Sequence, residues 1–401
     1  MRIIIKELKR LFSIKLTALL LLFTAIYTLL FCNALNFPNN FGNSRYDVPF
    51  YRELKEKFGN TIDKDELPSL RQMRQALIQE ITPHIISDTI FLQNGINSYE
   101  KFDELFRANY EELSENKRAA QDEAYRFWFD NEETSRILFN IQNIDYILYI
   151  EKETYLFGDK TAVDAFLKKS HSGASETYKR RMTKIYTSLP YSLLPVAAQD
   201  IIFSDQRILM ILCTIWCFVL ILPFQISQRL RGIVSISACT KTGRRIFSLQ
   251  AIACVIGGIL SCLFITASYT LILYLKGILY FLSCPVSTST VPMWFDISAL
   301  EYYLIQCVIL LMVSVSASLL AYIIGRIATS YISGLAIGLP FAAILCGVSA
   351  AAVYQMFAVN EFTNSLFIAA FGRPLIGIVF VTIIIITVAE LKLRHDRTCD
   401  L

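Results

Sequence analysis

One apolar run near the N-terminus, Leu16 to Leu35, is followed by a polar stretch of more than a hundred residues, and then by five more apolar runs between Ile208 and Val388. A helix needs roughly 20 mostly apolar residues to cross a bilayer core, and no water-soluble fold requires six such segments. With 54% hydrophobic residues, the chain also lies above the roughly 45–50% of soluble domains. The expectation is an all-α membrane protein with six transmembrane helices and a mainly helical extracytoplasmic domain between the first and second. Its parts are an amphipathic N-terminal helix at 1–15, the first span at 16–36, the extracytoplasmic domain at 37–206, a five-helix transmembrane region at 207–390 and a tail at 391–401.

Basic residues near span ends set the orientation. Residues 1–15 hold Arg2, Lys6, Lys9, Arg10 and Lys15 against a lone Glu7. The connection at 227–246 holds Arg229, Arg231, Lys241, Arg244 and Arg245 and no acid, whereas 38–205 holds 21 basic and 27 acidic residues. Both termini and the 227–246 connection are therefore expected in the cytoplasm, and the acidic domain outside. No basic surface interleaved with aromatics points to nucleic acid.

Residues 38–205 contain no cysteine, so the domain is expected to fold without a disulfide framework. Cys213 and Cys217 share a helix face; with no histidine or second pair beside them, they read as packing residues rather than metal ligands. The first run exceeds a signal-peptide core and no A-x-A site follows it, so it reads as a retained span.

Ile4, Leu8, Leu11 and Phe12 fall on one side of the N-terminal segment and its basic residues largely on the other. This fits a helix in the headgroup layer or a plain topogenic flank. In the polar stretch, helices are expected over Glu66–Asn94 with a break or kink at Pro83, from Tyr99 through Leu113, over Asn131–Phe157 and over Ser175–Ser188. Gly334, Gly338 and Pro340 predict close packing and a bend in the fifth span. The sixth run is expected at 375–388, after a segment at 355–374 that can dip into the outer leaflet.

No Walker G-x-x-x-x-G-K-[ST], G-x-S-x-G or H-E-x-x-H motif is present. His84, His171 and His395 fall on two sides of the expected membrane. Hence no catalytic residue, metal site or cofactor site is expected in the chain. Arg207, Lys276, Glu301, Arg326, Arg373 and Glu390 all fall at or near span ends, which argues against a mid-membrane proton relay. The energy for any transport then comes from elsewhere.

Residues 227–250 suggest where. Gln228 and Gly232, four apart, share a helix face; Ile226, Leu230, Ile233 and Val234 give an apolar side; Thr240 to Arg245, with Gly243 and Arg244, reads as a basic break. The segment is either a short helix that docks on a partner or a charged topogenic loop.

This layout resembles the type-2 ABC transporter permeases, in particular bacterial export subunits with an outer domain after the first span. Their second-to-third connection commonly carries a Glu, a Gly four later, a stretch of small residues and then Gly-Arg; here these are Gln228, Gly232, Ser235 to Thr242, and Gly243-Arg244. The N-terminal segment is similar to the family's elbow helix, and 355–374 to its re-entrant element. The resemblance implies an exporter subunit in the bacterial cytoplasmic membrane, working as a homo- or heterodimer with separate ABC ATPase subunits that bind ATP–Mg. Its cargo would be a peptide, an antibiotic or a lipid-like molecule. It also implies that Gln228, Leu230, Arg231, Gly232, Ile233, Thr240, Gly243 and Arg244 form the ATPase-coupling loop. Gln228 departs from the family's usual Glu, so Gln228→Glu is expected to be tolerated or to strengthen association. Two rivals share the outline: a non-transporting sensor or secretion component whose outer domain binds a ligand, and a membrane enzyme, for which no catalytic cluster is found.

Overall fold

The structure, a computed structural model, describes residues 2–37, 44–153, 160–170, 173–232, 243–288, 293–355, 384, 387 and 388. The described chain is mainly α-helical and divides into two compact units. One comprises 1–36, 198–283 and 293–401; the other comprises 37–197 and 284–292. We call them the apolar and the polar unit.

The apolar unit begins with α1 (Arg2–Leu11), α2 (Ile14–Phe31) and the single turn α3 (Asn33–Asn36). The polar unit contributes α4 (Ser44–Phe58), α5 (Leu67–Ser87), α6 (Thr89–Gln93), α7 (Tyr99–Arg107), α8 (Glu115–Phe129), α9 (Glu132–Glu153), α10 (Lys160–Ser170) and α11 (Glu176–Ser188). The long helices α12 (Val196–Leu230), α13 (Gly243–Leu275), α14 (Ala299–Ile327) and α15 (Tyr331–Gln355) complete the apolar unit. Among the described residues, four segments are long and apolar enough to cross a membrane: Ile14–Phe31, Val196–Leu230, Phe247–Leu275 and Ala299–Ile327. The protein is thus a helical, multi-pass membrane protein. α15 carries a shorter apolar stretch, Tyr331–Gly347. Most of the expected sixth span at 375–388, the segment at 356–374 and the tail lie outside the described residues.

Between membrane helices there is no water to expel, so close packing and internal hydrogen bonds hold the bundle. α12 and α14 run parallel, in contact along their length. The rings of Phe203 and Tyr302 are 4.7 Å apart, Cys217 Sγ lies 3.6 Å from Ser314 Oγ, and Arg229 reaches the carbonyl of Arg326 at 2.7 Å. Glycines set the approach. A Cβ on Gly325 would come within 2.5 Å of Gln225 Cβ, one on Gly338 within 2.9 Å of Leu222 Cδ2, and one on Gly334 would overlap Ile226 Cδ1. The close packing expected at Gly334 and Gly338 is therefore against α12. A second close approach, of α13 on α14 at Gly258, had no counterpart in the sequence reading. Hydroxyls inside the bundle bond back to their own helices, as Ser261 does to the Gly257 carbonyl and Ser318 to that of Ser314.

The polar unit is built around aromatic rings. Phe91, Phe102 and Trp128 are buried, Phe127 packs against them, and Phe106 stacks on Trp128 at 4.3 Å. Such pairs add about 0.5–1.5 kcal/mol each beyond burial. α5 runs through Pro83 without ending there. The break comes at Asp88, whose carboxylate accepts from the amides of Ile90 and Phe91 and so starts α6. The stripe read from Tyr99 to Leu113 is helical only to Arg107. Buried Gln121 closes that end by donating to the carbonyls of Leu105 and Ala108, each at 2.8 Å. Arg74 and Asp145 form a two-pronged ion pair between α5 and α9. Asn143 donates to Asp47 at 2.8 Å, while partial burial pushes the Asp47 carboxyl above its usual range.

The ends of the polar unit meet in a two-residue antiparallel ladder, β1 (Thr61–Ile62) with β2 (Tyr191–Ser192). Cys284, Val286, Ser287 and Thr288, from the α13–α14 connection, are buried in this same unit, and Ser192 Oγ donates to the Pro285 carbonyl at 2.5 Å. The first segment of this unit ends at Ala197, and α12 begins at Val196.

Candidate coupling site at the 227–250 connection

α1 places its one acid on its packing face. Leu11 is buried, and a Cβ on Gly257 of α13 would come within 2.5 Å of Leu11 Cδ2, so a bare glycine admits the leucine. One turn earlier Glu7 is 6% exposed, while Lys6, Lys9 and Arg10 are exposed. α1 is amphipathic as expected, and its apolar side meets a neighbouring helix.

Burying a carboxylate is costly unless hydrogen bonds replace its water. Here Gln228 Nε2 donates to Glu7 Oε2 at 3.1 Å, Arg10 Nη1 lies 3.2 Å from Oε1, and Gln250 Nε2 donates to Gln228 Oε1 at 2.7 Å. Gln228 and Gln250 are themselves buried. A relay of two amides and a carboxylate thus ties α1 to the end of α12 and the beginning of α13.

The neighbouring residue ties in α14. The last carbonyls of a helix lack intrahelical partners and carry the negative end of its dipole. Arg229 Nη1 donates to three of them, on Arg326, Ile327 and Ala328, at 2.7, 2.5 and 3.1 Å. The Arg326 guanidinium lies 4.1 Å above the Phe247 ring, and Tyr322 donates to the Phe247 carbonyl at 3.1 Å.

Gly232 has φ +68° and its amide donates to the Arg229 carbonyl at 3.0 Å, so it terminates α12 in the left-handed conformation open to glycine. Its spacing from Gln228 has this local cause. Leu230 and Arg231 are exposed beside it. Ile233 and Thr240 lie outside the described residues. Gly243 and Arg244, read as part of a break, belong to the first turn of α13. The structure therefore separates the eight expected residues: Gln228 turns into the bundle, and Leu230 and Arg231 stay exposed.

Glu7, Gln250 and the carbonyl-capping role of Arg229 escaped the sequence reading. The available signal was Glu7 itself, a lone acid among five bases with Arg10 three residues on. Gln228→Glu, expected from the resemblance to be tolerated or to strengthen association, would set a second carboxylate against Glu7. Among the described residues no group of three or more His, Cys, Asp or Glu could hold a metal ion. No family model, curated protein or solved structure matches the chain.

Proposed function

We propose that this chain is the membrane-spanning subunit of an ABC-type exporter, driven by ATP–Mg hydrolysed on a separate ATPase subunit and working as a dimer of membrane subunits. The observation that carries this reading is the convergence of helices at the two ends of the 227–246 connection. Glu7, Gln228, Arg229, Gln250 and Arg326 join α1, α12, α13 and α14 there. A push on the connection is then delivered to four helices together, which is what a subunit without nucleotide-binding motifs needs from its partner. Exposed Leu230 and Arg231 offer an apolar and a charged contact at the point of the push. The cargo class, a peptide, an antibiotic or a lipid-like molecule, comes from the family resemblance.

The reading requires the 227–246 connection inside the cell and the polar unit outside, in the bacterial cytoplasmic membrane. Basic residues on one set of connections support this. Cysteines introduced at Glu112 and Glu176, both exposed, are expected to react with an impermeant maleimide added to intact cells, and native Cys239 only after permeabilisation. Labelling of Cys239 from outside would overturn the reading, because no cytoplasmic ATPase could reach the connection.

A further inference from the structure

Asp205 lies ten residues into the apolar helix α12, where a carboxylate needs a reason to be. It is 1% exposed and takes four hydrogen bonds: from the amides of Asn33 and Ala34, each at 2.9 Å, and from Cys32 Sγ and the Tyr269 hydroxyl, each at 3.3 Å. Two of these cap the turn between α2 and α3, which gives Asp205 a structural role. Among the described residues every donor that reaches it is neutral, so no protein cation pairs with this carboxyl group, and an ammonium ion would supply the charged partner that a buried carboxylate needs.

Space for one adjoins it. A cavity of about 30 Å³ lies between α2, α12 and α13, lined by Asp205, Cys32 and Tyr269 together with apolar residues such as Leu209, Leu212 and Ile265. That volume holds about one water-sized group. An ammonium head fits a space of this size. The acid, Tyr269, Leu209 and Leu212 are buried, whereas Tyr27, Thr28, Ser268 and Ile272 are half-exposed, so the cavity has a closed acidic end and an open side. Beside the opening, Ile26, Leu29, Leu30 and Leu271 expose apolar side chains of the kind that face lipid.

We propose that this cavity binds the primary ammonium head of a single-chain amphiphile that enters sideways from the bilayer. The ammonium pairs with Asp205 and accommodates to the Tyr269 hydroxyl, while the chain lies along Ile208 and Ile272 toward lipid. The binding site stands by itself; its assignment as a cargo site rests on the exporter reading.

The test uses the full chain in lipid nanodiscs without any ATPase, and equilibrium binding of radiolabelled dodecylamine and dodecanol, corrected for empty discs. Saturable dodecylamine binding is expected, about tenfold tighter than dodecanol, as a charge-assisted hydrogen bond implies. Ser268→Trp closes the opening from a half-exposed position whose hydroxyl bonds only within its own helix, to the Phe264 carbonyl. It is expected to weaken amine binding by about tenfold with an unchanged melting temperature. Asp205→Asn is expected to level amine and alcohol. Equal binding of the two by the wild-type protein, or unaltered amine binding in Ser268→Trp, would overturn the site. Amine binding that persists in a protein with no ATPase partner would remove only the cargo assignment.

Discussion

Gly258→Ile is expected to disrupt the folded apolar unit. A Cβ at Gly258 would overlap Ser318 Oγ and come within 3.2 Å of Ser314 Oγ, at the closest approach of α13 to α14. Overpacking a well-filled interior typically costs about 1–3 kcal/mol, and here the extra atoms meet a neighbouring helix at its small residues, where a side chain has least room to give way. Size-exclusion chromatography in detergent is expected to show aggregated protein, or thermal unfolding to show a markedly lower midpoint. Gly347→Ala is the control. Nothing lies within 4 Å of a Cβ there, so the change is expected to be neutral or to stabilise by up to about 1 kcal/mol through helix propensity. An unchanged melting temperature for Gly258→Ile would contradict the packing of these two helices.

The second large effect is at Gln228, where the contact with Glu7 predicts a loss of stability on substitution by glutamate. Glutamate at 228 loses the amide that donates to Glu7 and puts two carboxylates within hydrogen-bonding distance in a buried place. Removing one partner of a buried hydrogen bond to a charged group costs about 1.5–3 kcal/mol, before the repulsion is counted. Gln228→Glu is therefore expected to undock α1, measured as faster proteolysis after Lys6, Lys9 or Arg10 and a lower melting temperature. The exchange Glu7→Gln with Gln228→Glu restores one amide and one carboxylate and is expected to recover most of the loss. That recovery would measure a direct coupling of the two side chains. If the double variant is as unstable as the sum of the singles, the pair does not interact.

Much of the helical framework was legible in the sequence because it rests on short-range signals. Apolar runs of bilayer length marked the spans, Ser175 marked the start of α11, and Gly334 with Gly338 marked a close helix contact. What escaped depends on partners distant along the chain. Asp205 falls near the end of the expected domain at 37–206, and nothing local shows that Cys32, Asn33 and Ala34, more than 170 positions earlier, supply its hydrogen bonds. Pro83 predicts a break or a kink; α5 continues through it, and the side-chain cap of Asp88 fixes the boundary five residues later. The α13–α14 connection gave no sign that Cys284 to Thr288 would be buried with residues 37–197, since burial there comes from packing and not from a local pattern. At the coupling site, Gln228 was recognised by its position four residues before Gly232. Its actual partners, Glu7 and Gln250, lie 221 and 22 residues away.

The claim that the 227–246 connection receives force from a separate ATPase is tested most directly by affinity purification of the tagged full chain. Wild type is compared with the double variant Arg231→Glu, Arg244→Glu, in mild detergent at low salt, where exposed charge contacts are least screened. Both proteins are first matched for yield and monodispersity, so that folding is not what is being measured. Expected is a Walker-motif ATPase eluting in fixed ratio with the wild-type chain, its recovery falling steeply for the double variant and for wild type at high salt. Elution of the folded wild-type chain with no ATPase, or undiminished ATPase recovery with the double variant, would contradict it.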